Sequence, residues 1–363
     1  MYCPKCGFNL KDDSEVEVCP ECGAQLGEST EKKEKGAEVK KKKSGMKYAV
    51  AAAAVLSAGI LLLNSHFLEF TPETPVEESE PELELETREI GLEVANFTQL
   101  GEINVEEFIL SDRCPIIGIG TFLGCENLKK IEIPEAVKEI WVGAFLGCTN
   151  LESICIPEGV KIIESDVFRK CESLKEVYLP DGLERIGERT FRECSSLESI
   201  KLPDGVTEIG KAAFNGCEGL KYINLPEGVV KIEPGTFGRC CSLERINLPK
   251  GLKEIGNSVF YECNNLKEIN LPEGIIKIGN YAFKGCNSLE IIELPEGLKE
   301  IGEQAFRDCS LKNIYIPESV EKIGKEAFDS LWTYSLETIT IPEKFIGAEC
   351  LKGVRDSVEI IFY

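Results

Sequence analysis

A block of 23 residues recurs about ten times in this chain of 363 and limits what the chain can fold into. One regular copy runs from Leu174 to Ser196 and reads LKEVYLPDGLERIGERTFRECSS. Phenylalanine returns every 23 residues at Phe122, Phe145, Phe168, Phe191, Phe214, Phe237, Phe260, Phe283 and Phe306, and Phe328 follows after 22. Cysteine keeps the same step from Cys125 to Cys309, and proline keeps it from Pro134 to Pro295 before slipping at Pro317 and Pro342. A fixed period of this length means the stacked coils of a solenoid, in which each coil buries its apolar face against its neighbours.

The chemistry within one coil suggests its path. Leu174, Val177 and Leu179 alternate with polar or amphipathic Glu176 and Tyr178, the pattern of a short strand with one buried face. Pro180 ends that strand because it has no N–H for the ladder, and Asp181-Gly182 makes a turn. Leu183 and Ile186 return to the core, and Gly187 turns the chain again. Thr190, Phe191 and Cys194 suggest a short helical turn that drops the ring inward. Each strand is reached by one full coil, so successive strands are expected to lie parallel.

The column after the first leucine of each coil alternates in sign: Lys129, Glu152, Lys175, Glu198, Lys221, Glu244, Lys267, Glu290, Lys312, Glu337. Strands about 4.8 Å apart would set each charge between two opposite ones. The alternation opposes a slip of one coil, and duplication of a two-coil unit would leave the same pattern.

The repeated motif L-x-x-I-x-L-P-x-G-L-x-x-I-G-x-x-A-F-x-x-C resembles the BspA-like leucine-rich repeat family over about Ile116 to Pro342. The resemblance implies a curved leucine-rich repeat solenoid with a parallel sheet on its concave side. It also implies a surface protein that binds other macromolecules, often in adhesion. Trp141-Val142 replaces the usual I-G step, Cys155 sits on a strand, and Leu331 to Ser335 is a small insertion.

Residues 1–27 read as a zinc ribbon. Cys3-Pro4-Lys5-Cys6-Gly7 and Cys19-Pro20-Glu21-Cys22-Gly23 are two near-identical knuckles. Four thiolates in two C-x-x-C pairs suit one tetrahedral zinc ion and close its coordination shell, which makes the site structural. A redox dithiol or disulfides are the alternatives. So short a segment has almost no core, and metal binding would supply its folding energy.

Residues 28–47 form a basic linker with eight lysines, and the run from Tyr48 to Leu63 contains no charge. At ~1.5 Å per residue that run spans about 24 Å. Extending it through Leu68 brings it near the ~30 Å of a hydrocarbon core, so residues 48–68 are expected to cross a lipid bilayer as one helix. Lysines precede the segment, and between Asn64 and Ile90 the one basic residue is Arg88. This asymmetry places the N-terminus in the cytoplasm and the repeats outside the cell. Residues 69–90, with three prolines and, from Glu73 to Glu89, eight glutamates, read as an extended acidic tether. Residues 91–115 and 343–363 read as caps over the end coils of repeats that fill 116–342.

The formal net charge is -22, and residues 1–69 sum to zero, which leaves the whole deficit on the tether and repeats. An acidic repeat domain argues against a nucleic-acid partner. The one histidine, His66, lies at the membrane edge, so the repeats hold no Ser-His or Cys-His pair. Gly118-x-Gly120 lacks the strand–helix context of a phosphate loop. Periodic carboxylates read as a solvated face, and a glycosidase-like pair among them is the one catalytic alternative left. The chain is expected not to be an enzyme.

Nine cysteines at one coil position would stack within reach of one another. They read as buried free thiols, with disulfides the alternative. The expected ligand surface is the outward side of the sheet, at Tyr178, Tyr222, Asn224, Arg245, Asn247, Asn270 and Tyr315. Aromatic, Arg and amide side chains suit a protein or glycan ligand. An asparagine ladder also stabilises stacked strands without any ligand. Two functions follow: a membrane-anchored surface protein that captures a macromolecule, or a transmembrane sensor or assembly factor whose cytoplasmic zinc ribbon recruits a partner.

Overall fold

The computed structural model describes residues 106–329 and 335–363. The zinc-ribbon, linker, membrane and tether segments, with Cys3, Cys6, Cys19 and Cys22, lie outside these residues, as do positions 330–334, which take in most of the insertion. Among the described residues no helix is long and apolar enough to cross a membrane.

The described chain winds into coils whose neighbours pair in parallel, as a period of 23 demands. The expected strand is present in all but one of the regular coils; in the coil of Leu197 to Leu202 it shrinks to a single bridge from Ser199 to Tyr222. Glu176–Tyr178 pairs with Ser153–Cys155, and Tyr222–Asn224 pairs with Arg245–Asn247, each in register. These strands form a front sheet. Its central residues, such as Ile154, Ile223 and Ile314, are buried. The register begins at Glu107–Ile109, which pairs with Lys130–Glu132 and sets Phe108 opposite Ile131. At the other end Thr338–Ile341 pairs with Glu359–Phe362. Glu343–Phe345 and Glu349–Leu351, two short 3-10 turns, lie between them.

A second parallel ladder runs along the flank. Leu183 and Ile186 are buried as expected, but Arg185–Ile186 is also a strand. It pairs with Ile162–Ile163 on one side and Glu208–Ile209 on the other. Two residues suffice because each backbone group finds its partner in the next coil. This ladder is not legible in the sequence, since two residues are too few to show alternation. Its outward column also alternates in sign, from Arg185 and Glu208 to Lys231, Glu254, Lys277, Glu300 and Lys322.

The helical turn expected around Phe191 is not a helix. Arg189 and Glu193 have φ of 54° and 63°, in the left-handed region. Two left-handed residues four apart interrupt any i to i−4 ladder. The N–H groups turn to the neighbour instead: Phe191 N–H donates to Ala213 O at 2.8 Å, and Glu193 N–H to Asn215 O at 2.8 Å. Coils approach so closely that a Cβ at Gly187 would lie 2.6 Å from the Glu164 carbonyl carbon, so glycine is required there.

The phenylalanines stack in one column from Phe122 to Phe328, with centroids 5.0–6.1 Å apart and planes within 20°. Phe108 covers the first ring edge-on at 5.2 Å. Beside the rings run the cysteines, which are free thiols and not disulfides. Cys148 Sγ donates to Phe122 O at 3.0 Å and Cys217 Sγ to Phe191 O at 3.1 Å, and the same bond recurs up to Cys309 on Phe283. That carbonyl also accepts the N–H of the cysteine in its own coil, as Phe191 O does from Cys194 N–H at 3.1 Å. The thiol thus fills a second lone pair that no backbone donor reaches. Burial pushes the thiol of Cys125 up to about 12, and that of Cys194 well above its ordinary range.

The alternating charges after the first leucine pair on one side only. Lys175 meets Glu152 at 3.8 Å, Lys221 meets Glu198 at 2.8 Å, Lys267 meets Glu244 at 3.7 Å and Lys312 meets Glu290 at 3.3 Å. Each lysine reaches back to the glutamate one coil earlier, which corrects the expectation of partners on both sides. The unit of pairing is two coils. All these side chains are about half exposed or more, so each pair contributes at most ~1 kcal/mol.

Candidate functional site

The front sheet positions the candidate residues. Every three-residue strand after Glu107–Ile109 buries its centre, and in most of them both flanking side chains are exposed, so each coil offers about two outward positions. All seven expected residues point outward, and they fall into three groups.

Tyr222, Asn224, Arg245 and Asn247 come together on two adjacent strands. Tyr222 lies beside Arg245, and the Asn247 amide donates to Asn224 Oδ1. Asn270 is exposed in the next coil, just past its strand. The asparagine bond gives the two amides a structural role without a ligand. That bond uses one of the pair's four amide N–H groups, which leaves three donors on this exposed pair.

Tyr178 stands apart, next to exposed Cys155 on the preceding strand. Its hydroxyl donates to Glu176 Oε2 at 3.0 Å. That carboxylate, chiefly, holds the phenol above its usual range. Tyr315 marks the third group. It stacks on Tyr363 with centroids 5.3 Å apart and planes at 16°. The Tyr363 hydroxyl donates to Ile316 O at 2.7 Å, which fixes the pair. Burial, then the neighbouring Tyr315, drives the Tyr363 phenol well above its usual range.

From Tyr178 to Tyr315 is six coils, roughly 29 Å at one strand spacing per coil. A ligand that touched all three groups would have to be a macromolecule. Two residues escape the sequence analysis. Tyr363 follows no 23-residue spacing, and only the pairing of the last strand brings it to Tyr315. Ile291 occupies an outward place on a front strand, paired with Glu268, and is 67% exposed. Its signal was available: an isoleucine where other coils carry polar residues.

Among the described residues, no group of three or more His, Cys, Asp or Glu side chains is arranged to hold a metal. The four cysteines assigned to zinc lie outside them.

The BspA type leucine rich repeat region matches this chain over residues 96–221, 184–287 and 253–362. No curated protein matches it. Among solved structures, the chain is similar to a Treponema pallidum leucine rich repeat protein, with 33% identity over 44% of this chain and 78% of that one, at a TM-score of 0.42. It is similar to a leucine rich cell surface protein of Faecalibacterium prausnitzii, with 27% identity over 71% of this chain and 73% of that one, at a TM-score of 0.46. A Bacteroides ovatus leucine-rich repeat protein shares 26% identity over 76% of this chain and 97% of that one, at a TM-score of 0.37. The repeat match spans well over half of the chain, and the stacked parallel coils are what that repeat builds: the chain belongs to the BspA-type leucine-rich repeat family.

Proposed function

We propose that the repeats are a binding surface for an extracellular protein or glycan, displayed at the cell surface from a single membrane-spanning segment at residues 48–68. The observation that carries this reading is the contrast within each front strand. The buried centre is Ile or Val in nearly every coil, while the outward flanks change from Glu176 and Tyr178 to Tyr222 and Asn224 to Arg245 and Asn247. Stacking alone does not require that variety. Aromatic and Arg side chains make the strongest anchors at interfaces, which singles out Tyr178, Tyr222, Arg245 and Tyr315. The acidic charge of the domain favours a basic or neutral ligand for this face, and binding to a basic one weakens with salt.

The test is an array of host proteins and glycans, followed by replacement of Tyr178, Tyr222 and Tyr315 together by serine. Loss of the captured ligand by a folded triple variant supports the front sheet. Unchanged affinity refutes it.

The membrane placement rests on the lysines before Tyr48 and their near absence after Leu63. Protease added to intact cells is expected to remove the repeats. Digestion only after lysis would reverse the orientation. A second reading rests on the doubled C-P-x-C-G knuckles, with zinc held by Cys3, Cys6, Cys19 and Cys22 as a structural ion. A zinc ribbon on the cytoplasmic side would make the protein a sensor or assembly factor that recruits a partner there. Metal analysis should find one zinc per chain, lost in Cys19→Ser. A cytoplasmic partner recovered only when residues 1–46 are present would favour this second reading.

A further inference from the structure

The turns that carry the phenylalanines form a separate outer face, and an open groove of about 600 Å3 lies on it. Arg239, Tyr261, Tyr281, Lys284, Gln304 and Arg307 line it. None of the front-sheet residues takes part. We propose that this groove is a second binding site and that it takes an acidic sugar, a carboxylated pyranose such as a uronate at the end of a glycan.

Backbone chemistry narrows the ligand first. The N–H groups of this face are already used between coils. Ser258 N–H donates to Asn280 O at 2.8 Å, Tyr281 N–H to Glu303 O at 2.8 Å, and Gln304 N–H to Lys325 O at 3.0 Å. No nest of free amides is left for a phosphate, so side chains alone address the ligand.

Charge narrows it further. The lining holds three cations and no carboxylate, in a chain whose net charge is -22. Arg307 is anchored from behind by Asp329 at 3.3 Å and Glu326 at 3.5 Å. Arg239 is shared with Glu262 at 3.2 Å, and its side chain is 63% exposed. Lys284 makes no ion pair among the described residues. Its ammonium donates to Gln304 Oε1 at 3.0 Å and sits 5.4 Å from the centroid of the Tyr281 ring. The Gln304 amide is itself held by Glu326 Oε2 at 2.8 Å. Lys284 is therefore positioned by neutral groups and keeps its charge available.

The aromatic rings supply the rest. The place two residues before each Phe needs a left-handed backbone, and earlier coils fill it with Gly120, Gly143, Asp166, Arg189, Ala212, Gly235 and Ser258. Tyr281 takes it with φ of 59°, and is the one aromatic among the described non-glycine residues in that region. A side chain there is strained, and the fold does not ask for an aromatic one, since glycine, alanine or a polar chain such as Arg189 or Gln304 serves in other coils. Tyr261, beside it in the lining, stands where earlier coils carry Leu, Arg, Asn or Gly one residue after Phe. The Tyr281 hydroxyl donates to Glu303 Oε1 at 3.2 Å and the Tyr261 hydroxyl is bonded to Glu262, so the two rings offer their faces. Two aromatic faces, an amide, a guanidinium and an available ammonium match the apolar C–H face, hydroxyls and carboxylate of an acidic pyranose. An acidic peptide offers the carboxylate without the flat apolar face.

The test uses the full chain and two disaccharides of one linkage, one ending in glucuronic acid and the other in glucose, with binding followed by calorimetry. The acidic sugar is expected to bind about tenfold tighter or more, the size of one charge-assisted hydrogen bond. Lys284→Gln should abolish that preference, and Lys284→Arg should keep it. The triple serine replacement at Tyr178, Tyr222 and Tyr315 should leave it unchanged, which separates this site from the front sheet. Equal affinity for the two sugars, no binding of the acidic one, or a preference that survives Lys284→Gln would each overturn the proposal. Displacement by an Asp-rich peptide as readily as by the glucuronide would overturn it too, in favour of a protein partner.

Discussion

The Phe turns and the front strands obey opposite rules on the two sides of the same coil. Inside the turn, ring follows ring and thiol follows thiol, with the same stacking and the same Sγ–H to carbonyl bond each time. On the outer face of the front sheet, successive coils place Ser153, Glu176, Ser199, Tyr222 and Arg245 at one position. The difference is one of constraint. An interior place is fixed by the coil above and the coil below, so one solution must fit every copy. An exterior place touches solvent and is free to take whatever a ligand, or nothing, requires.

Breaking the interior should have the largest effect. Phe214 is fully buried, stacked on Phe191 at 5.3 Å and on Phe237 at 5.6 Å. Phe214→Ala should cost about 3–5 kcal/mol, read as a shift of the denaturant midpoint. An unshifted midpoint would mean that the column does not carry the stack.

The thiols sharpen the same point at smaller scale. Cys217→Ala removes the donor to Phe191 O, but that carbonyl keeps the Cys194 N–H. The expected loss is about 1 kcal/mol, and Cys217→Ser, which restores a donor, should lose less. Equal losses for the two variants would show that the thiol matters only as volume.

These thiols also predict an alkaline limit. Burial raises Cys171, Cys194 and Cys240 well above their ordinary values in the folded state. An unfolded chain ionises its cysteines at about 8.5. The folded pKa is the higher one, so the contribution to stability is complete below that pH and falls as pH rises above it. Unfolding free energies at rising pH should decline beyond this point. The decline should flatten when Cys217 and Cys263 are both replaced by serine. A slope that the replacement leaves intact would assign the effect to other groups.

The exterior should scarcely respond. Lys221→Ala removes an exposed pair with Glu198 and should change stability by no more than ~1 kcal/mol. The triple serine replacement at Tyr178, Tyr222 and Tyr315 should be comparably small, apart from the stacking of Tyr315 on Tyr363. A loss of several kcal/mol in either variant would mean that the outer columns also hold the coils together, and would erase the contrast.

Periodicity by itself determined the parallel stacking, the buried places of Phe, Cys and Leu, and the outward direction of Tyr178, Tyr222 and Arg245, because one coil repeats one geometry. It did not reveal the flank ladder, whose two-residue strands are too short to carry a pattern of their own. It also misjudged the Phe turn, since left-handed φ at Arg189 and Glu193 comes from contacts between coils that no single copy encodes. Lys221 pairing with Glu198, and the thiol reaching the carbonyl 26 residues back, likewise exist only once coils are stacked. The turn-face groove is the clearest case. Tyr261, Lys284 and Arg307 share the place after Phe in three successive copies and Tyr281 stands two before it, and the stacking of those coils brings the two columns into one lining.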